Sequence, residues 1–257
     1  MDFETLLYAK VNDVALVTLN RPRVLNAMNQ QMWVDLQTAL DAAKSDPQLK
    51  VVVLTGQGRA FSSGADLKES KTRSIEEYRS YLESLQEVSR AIIRFPKPTI
   101  AAINGFALGS GYELALACDI RIVAREAQIG SPEARVASSV TGGAFRLLQE
   151  LVGPGKAKEL LFTADPIDGA EAERIGLVNK AVAADQLVES AMDMARRIAG
   201  NDLFSLKMIK KGLRLAQSEV SLDALMDFET EACLACVSTQ SRREALVRFE
   251  KRKGEDQ

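Results

Sequence analysis

Short apolar runs alternate with stretches of helical spacing up to about residue 185. The runs "LLYAKVNDVALVTLNRP", "KVVVLTG", "TIAAING" and "IRIVAR" predict strands, because β-branched and apolar residues follow one another between turn residues. The unbroken apolar character of "KVVVLTG" is typical of a strand that is buried on both faces. Between the runs, "NQQMWVDLQTALDAAKSD" and residues 74–94 repeat apolar positions at helical spacing, so we expect helices there.

This alternation predicts an α/β fold in which helices cover sheets, although the strand-turn-strand pieces do not fit a simple doubly wound order. After about residue 185 the pattern is helical alone, as in "SLKMIKKGLRLAQ" and "LDALMDFETEACLACVS". We therefore draw a boundary near Asn201, between a core of residues 1–200 and a helical region of residues 201–257. Helices without an obvious core of their own often pack against a neighbouring subunit, so we expect an oligomer.

Composition and charge indicate a globular protein and exclude some classes of binding partner. A chain of 257 residues with 46% hydrophobic content can bury one substantial core. Its net charge of −2 gives no general attraction to nucleic acid or anionic lipid, so we expect neither as a partner. No apolar run approaches the roughly 20 residues that span a bilayer, and the start "MDFETLLYAKVND" has acids where a targeting signal needs basic residues. We expect an unprocessed cytoplasmic protein.

The chain contains no histidine, which restricts its chemistry. Ser-His-Asp and Cys-His nucleophilic systems are excluded, so a carboxylate with an adjusted pKa is the first candidate for moving protons at neutral pH. Without histidine partners, the cysteines Cys118, Cys233 and Cys236 lack a zinc-binding pattern, and we expect no metal site. We interpret all three as reduced thiols in the core.

The stretch "GFALGSGYE", residues 105–113, is the first candidate for a site. A strand followed by a glycine-rich turn and a helix presents free backbone N–H groups and the positive end of a helix dipole to an anion. A structural alternative remains open, because Ser110 and Glu113 have the spacing of a capping box. The alternatives compete for the Ser110 N–H, which either binds Glu113 or points at a ligand.

The stretch "GRAFSSGADLKE", residues 58–69, follows a predicted buried strand. Its small residues let the backbone approach a ligand closely, and Gly64 can supply a dihedral that other residues resist. The alternative is an ordinary loop before a helix that Asp66 caps.

A second carboxylate lies in "QIGSPEARV". Ser131 as N-cap, Pro132 at the first helical position and Glu133 in the first turn make a sound helix start, which gives Glu133 a purely structural interpretation. In the alternative, Glu133 converges with Glu113 on one pocket, and the two carboxylates divide the acid and base roles.

A basic stripe runs along one predicted helix face, formed by Lys207, Lys210, Lys211 and Arg214. We interpret it as a solvated face. The alternative is contact with a phosphate-bearing ligand.

Several stretches together, in chain order, resemble the enoyl-CoA hydratase/isomerase (crotonase) superfamily. They are "LNRPRVLNAMN", "GRAFSSGADLKE", "KPTIAAINGFALGSGYELALACDIRIVA", "IGSPEARV", "AERIGLVNKAV" and "RREALVRFEKRK". The resemblance implies a spiral core of repeated ββα units and a C-terminal helical region used for trimer assembly, commonly as a dimer of trimers.

The resemblance also implies a set of site residues. Ala65 and Ser110 match the positions whose backbone N–H groups form the oxyanion hole for an acyl-CoA thioester. Glu113 and Glu133 match the paired catalytic glutamates of the hydratases. Four further residues match positions that hold coenzyme A: Arg23, Val24, Leu25 and Lys68. Since coenzyme A is part of the substrate, no separate cofactor is expected.

The activity that this resemblance implies is hydration of the 2,3-double bond of an enoyl-CoA thioester. Glu113 would deprotonate the water that attacks C3, and Glu133 would protonate C2. Another enolate-forming activity, such as isomerisation, stays open, because "ARVASSVTGGAFRL" differs from the Gly-hydrophobic-Pro-Gly turn usual after the second glutamate. A more remote alternative is a non-enzymatic protein that binds acyl-CoA or RNA.

Overall fold

The computed structural model describes residues 2–70 and 73–255. From residue 248 onward it describes the backbone only, so the side chains of the terminal "RFEKRK" lie outside the described residues. The strands are Leu6–Val11 (β1), Val14–Leu19 (β2), Val51–Gly56 (β3), Ala60–Ser62 (β4), Thr99–Ile103 (β5), Phe106–Leu108 (β6), Ile120–Ala124 (β7), Gln128–Gly130 (β8), Ile167–Asp168 (β9) and Lys180–Val182 (β10). The α-helices are Gln30–Ser45 (α1), Leu67–Ser70 (α2), Ile75–Ile93 (α3), Ser110–Ala117 (α4), Ala144–Thr163 (α5), Gly169–Arg174 (α6), Leu187–Ala199 (α7), Leu203–Ala216 (α8), Leu222–Val237 (α9) and Gln240–Glu255 (α10).

The strands form two sheets, and the chain passes from one to the other in every turn of a spiral. The large sheet has the order β1-β2-β3-β5-β7-β10 and the small sheet the order β4-β6-β8-β9. Each turn adds one strand to the large sheet, one to the small sheet and then a helix, as in β3-β4-α3, β5-β6-α4 and β7-β8-α5. Strands from successive turns pair in parallel in both sheets. The ββα units are therefore stacked along the spiral.

The corners between the two sheets leave no room for side chains. At Gly105, between β5 and β6, an added Cβ would lie 2.1 Å from the carbonyl oxygen of Arg59 in the preceding turn. Glycine is required there because the turns of backbone stack in contact.

The large sheet is the centre of the hydrophobic core. Every residue of β3 from Val51 to Thr55 is buried, as the unbroken apolar run predicted. Helix α1 covers this core with Met32, Leu36 and Leu40, which recur at helical spacing, and the side chain of Asn29 caps its start by accepting a hydrogen bond from the Met32 N–H.

The C-terminal helices have little core of their own. Asp202 and Ser221 cap α8 and α9, yet neither helix buries a single residue. Large apolar side chains stay exposed on them, among them Leu213, Leu222 and Leu234. No helix in the described ranges combines the length and apolar character needed to cross a membrane.

Two of the sequence interpretations are wrong for this region. Cys118 is buried, but Cys236 is only partly buried and Cys233 is exposed, because both lie on α9, which buries none of its residues. The basic stripe on α8 is not a solvated face throughout, because Lys210 pairs with Asp119 at 2.6 Å and also donates to a backbone carbonyl.

Candidate active site

The parallel strands β4, β6 and β8 of the small sheet end at the same edge, which brings separate stretches of sequence together. The loop after β4 contains Ala65, the turn after β6 leads into Ser110 and Glu113, and the turn after β8 leads into Glu133. Ligands of parallel sheets commonly bind at the carboxyl ends of the strands. The site that the sequence predicted lies at such an edge.

The backbone amides of Ala65 and Ser110 are free at this edge. Within the described residues neither N–H donates to a protein acceptor, whereas the Gly64 and Asp66 amides beside Ala65 donate to Ser62 Oγ and the Met28 carbonyl. Ser110 is the first residue of α4, so its N–H has no partner inside the helix and lies at the positive end of the helix dipole.

Two glycines let these loops approach each other. Gly64 has φ +97° and Gly109 has φ +54°, both in a region that side chains resist. An added Cβ on Gly64 would lie 3.4 Å from the Ser110 nitrogen. The two free amides therefore lie on backbone segments that contact each other.

Glu113 is almost fully buried, with 2% of its surface exposed. It does not form the capping box that was the structural alternative, because Gly109 is the N-cap residue of α4 and offers no side chain. Instead the Glu113 carboxylate accepts hydrogen bonds from the backbone N–H of Thr141 and from its hydroxyl, at 2.5 and 2.6 Å. Burial raises the pKa of Glu113, and the bonds from Thr141 oppose that rise only in part.

Glu133 is partly buried and lies in a 3₁₀ helix, Pro132–Val136. Ser131 does not cap this helix with its side chain; its hydroxyl donates to Oε2 of Glu133 at 2.5 Å. The other oxygen of Glu133 faces Gly109, where an added Cβ would lie only 2.9 Å from it. The predicted helix start is therefore confirmed in position, with Ser131 as N-cap residue, Pro132 first and Glu133 in the first turn, but without a side-chain cap from Ser131. The second carboxylate lies beside the turn that carries Ser110.

The residues that matched coenzyme A positions lie around the loop after β4. Arg23 and Val24 are exposed in a 3₁₀ turn, and Leu25 is partly buried. The Leu25 carbonyl accepts a hydrogen bond from the Ser63 amide at 2.9 Å, which ties this turn to the loop that contains Ala65. Lys68 is exposed at the start of α2, three residues beyond Ala65.

Sequence reasoning missed Asn26, which fixes this arrangement. Asn26 is fully buried, and its side chain donates to the Gln57 and Ala60 carbonyls while accepting from the Arg21 amide. Its backbone carbonyl accepts from the Ser62 hydroxyl at 2.8 Å. An asparagine inside "RVLNAM" was the available signal, since a polar residue between apolar ones needs buried partners.

Thr141 was also missed. It lies 28 positions from Glu113 in sequence, and nothing local in "SSVTGG" indicates that its two donors converge on a distant carboxylate. Among the described residues, no group of three or more acidic or cysteine side chains is arranged to hold a metal ion.

Comparisons with known proteins identify the family of the chain. A profile of the enoyl-CoA hydratase/isomerase family matches residues 9–256. The chain is 37% identical over 255 residues to a protein of Syntrophomonas wolfei named crotonyl-CoA hydratase, with 98% of each chain covered. It is 38% identical to a short-chain-enoyl-CoA hydratase of Clostridium acetobutylicum, with 98% of this chain and 97% of the other covered.

The fold also matches that of a solved enoyl-CoA hydratase. A crystal structure of an enoyl-CoA hydratase from Bacillus anthracis superimposes with a TM-score of 0.94 at 33% identity, over 97% of both chains. The spiral of ββα units is thus the crotonase fold that the resemblance implied. The chain belongs to the enoyl-CoA hydratase/isomerase family and is an enzyme of that family.

Proposed function

We propose that this enzyme is an enoyl-CoA hydratase, which adds water across the 2,3-double bond of an enoyl-CoA thioester. One observation carries the proposal: two free backbone amides lie at the same sheet edge as two carboxylates, Glu113 and Glu133. The names of the relatives from Syntrophomonas wolfei and Clostridium acetobutylicum support the same activity.

In this proposal the Ala65 and Ser110 amides form an oxyanion hole. They bind the thioester oxygen, whose negative charge grows as water adds and the enolate forms. Donors fixed in advance stabilise that charge more than they stabilise the neutral substrate, so they lower the barrier. Loss of one such donor typically costs about 3 to 4 kcal/mol of barrier.

The two glutamates carry the proton transfers in the proposed mechanism. Ionised Glu113 takes a proton from water as the oxygen bonds to C3, and the π electrons move to the thioester oxygen. Glu133 then gives a proton to C2 as the enolate collapses to the thioester, and one proton returns from Glu113 to Glu133 before the next turnover. The raised pKa of Glu113 makes it a stronger base than an exposed glutamate.

We assign coenzyme A to the surface formed by Arg23, Val24, Leu25 and Lys68. The exposed positive charges of Arg23 and Lys68 suit the phosphates of its nucleotide end, and Val24 and Leu25 suit its pantetheine arm. Coenzyme A is part of the substrate here, and the proposed chemistry needs no other cofactor.

The proposed assembly is a trimer, or a dimer of trimers, through residues 201–257. The exposed apolar side chains of α8 and α9 support it, since such surfaces are usually covered by a partner. A cytoplasmic location remains a prediction from the sequence.

Turnover of crotonyl-CoA tests the proposal. Loss of the enoyl thioester absorbance, with formation of the 3-hydroxyacyl product by mass spectrometry, is the expected result. Conversion of a 3-enoyl-CoA to its 2-enoyl isomer, without hydration of any 2-enoyl-CoA, would instead assign the isomerase alternative.

A further inference from the structure

Thr141 contacts the buried carboxylate of Glu113 through two separate donors. Its backbone N–H donates to Oε1 and its hydroxyl to Oε2, so each carboxylate oxygen receives one hydrogen bond from the same residue. The backbone bond is available to any residue except proline at this position, but the second bond requires a hydroxyl. The Thr141 side chain therefore gives Glu113 a hydrogen bond that the backbone N–H alone does not supply.

The residue after Thr141 packs closely against its neighbours. Gly142 follows with φ +59°, and an added Cβ there would lie 3.0 Å from the Cβ of Glu113 and 3.1 Å from Oγ of Ser89. The Thr141 carbonyl accepts a hydrogen bond from the Ala144 amide at the start of α5. The loop thus fixes the direction of both Thr141 donors toward α4.

We infer that the Thr141 hydroxyl is a positioning group for the proposed hydration, holding Glu113 ionised and oriented toward the attacking water. The inference rests on the proposed function of Glu113 as the base. A carboxylate offers about four acceptor directions. Thr141 occupies one on each oxygen, and no other donor to Glu113 is found among the described residues, so the remaining directions are available to water.

The surroundings of Glu113 disfavour its ionised form, so a hydrogen bond from the Thr141 hydroxyl is needed to stabilise that form. Burial disfavours the charged carboxylate, and Glu133 on the segment after β8 adds repulsion whenever it is itself ionised, that is, after it has given its proton to C2 and until Glu113 returns one. Within the described residues, Glu133 is the one titratable group whose charge acts on the pKa of Glu113. On helix α3, the group found beside the neighbouring Gly142 is the neutral Ser89 hydroxyl. Thr141 supplies the opposing effect, because hydrogen bonds to the charged form lower the pKa.

The experiment compares Thr141→Val with Thr141→Ser. Valine keeps the branched shape and the backbone N–H but removes the hydroxyl, whereas serine keeps the hydroxyl. In Thr141→Val we expect kcat for crotonyl-CoA at neutral pH to fall about tenfold with little change in KM, since a charge-assisted hydrogen bond is lost. The acidic limb of its pH profile should move to higher pH, and activity should recover as the pH rises.

Thr141→Ser should behave like the wild type in both respects. A matched control is Thr38→Val, which removes an exposed hydroxyl that bonds to the Val34 carbonyl on α1 and should change nothing. A uniform loss of activity at every pH, or equal loss in the serine variant, would overturn the inference, because either result indicates a disturbed loop.

A readout without turnover separates this inference from the proposed function. The carboxyl group of Glu113 can be titrated by infrared difference spectroscopy, with Glu113→Gln identifying its band. We expect the midpoint to be higher in Thr141→Val than in the wild type. An unchanged midpoint would refute the role of Thr141 even if the enzyme hydrates crotonyl-CoA, whereas a raised midpoint in a protein that hydrates no enoyl-CoA would refute the proposed function alone.

Discussion

At the edge of the small sheet a charged side chain is buried and held by hydrogen bonds, whereas along α8 and α9 large apolar side chains are exposed. Glu113 is 2% exposed and bonded twice to Thr141, whereas Leu222 and Leu234 are 70% and 57% exposed. Both regions contain well-formed helices, so local helix stability does not explain the difference. Within one chain the candidate site is already assembled, while the C-terminal helices present a surface that a single chain leaves uncovered.

The largest effect should come from removing the proposed base. Glu113→Gln keeps the size of the side chain but not its basicity, so we expect kcat to fall by about 10²–10⁴-fold. The control Glu126→Gln changes an exposed glutamate after β7 and should leave kcat unchanged. If Glu113→Gln retains full hydratase activity, the buried carboxylate is structural and the site does not work as proposed.

The next effect tests the turn that carries Ser110. Gly109→Ala forces a side chain into φ +54°, ψ −126° and to within 2.9 Å of a Glu133 oxygen. We expect kcat to fall by roughly 10²–10³-fold, as for loss of an oxyanion donor, with a destabilisation of about 1–3 kcal/mol. In the control Gly155→Ala, the added methyl group meets no atom within 4 Å, so activity should be kept. Equal kinetics in the two variants would contradict the assigned role of this turn.

A third prediction concerns the far end of α4. Arg121 is buried, and its guanidinium donates to the Cys118 carbonyl just beyond α4 at 2.6 Å and to the Leu177 carbonyl at 2.9 Å. Arg121→Met leaves these carbonyls without donors, so we expect a loss of about 2–4 kcal/mol in urea unfolding. Arg174→Met removes an exposed ion pair with Glu171 and should leave stability nearly unchanged. A fully stable Arg121→Met variant would mean that α4 is held by apolar packing alone.

The sequence predicted the large sheet better than the small one. Strand β3 is recognisable because "VVVLT" is unbroken and apolar, but β4, β6 and β8 span only three residues each and are too short to show a periodic pattern. The residue pattern therefore predicts loops and turns before helices at these stretches, and the paired strands follow only from the family resemblance. The small sheet is nevertheless what aligns the candidate site.

Contacts between residues that are distant in sequence could not be predicted either. The sequence singled out Glu113 and Glu133 as carboxylates next to glycine turns, although each also had an ordinary explanation as part of a helix start. It could not show that Thr141 bonds to Glu113 or that Lys210 pairs with Asp119, since both contacts depend on how whole elements pack. Helical spacing likewise places Cys233 on a helix face without indicating whether anything covers that face.

The smallest effect on the free energy of unfolding should come from a substitution on the C-terminal surface. The same substitution should nevertheless disrupt the proposed assembly. Leu234→Asp alters a side chain that is 57% exposed, so we expect unfolding of the isolated chain to change by less than about 0.5 kcal/mol. The mass measured by light scattering should fall toward that of one chain, because a charge replaces an apolar contact in the proposed assembly. Val34→Asp, at a residue that is 50% exposed on α1, should keep the wild-type mass. If both variants keep that mass, the exposed side chain on α9 is no more important for assembly than the one on α1. The exposed apolar surface of α8 and α9 would then not be the contact between subunits.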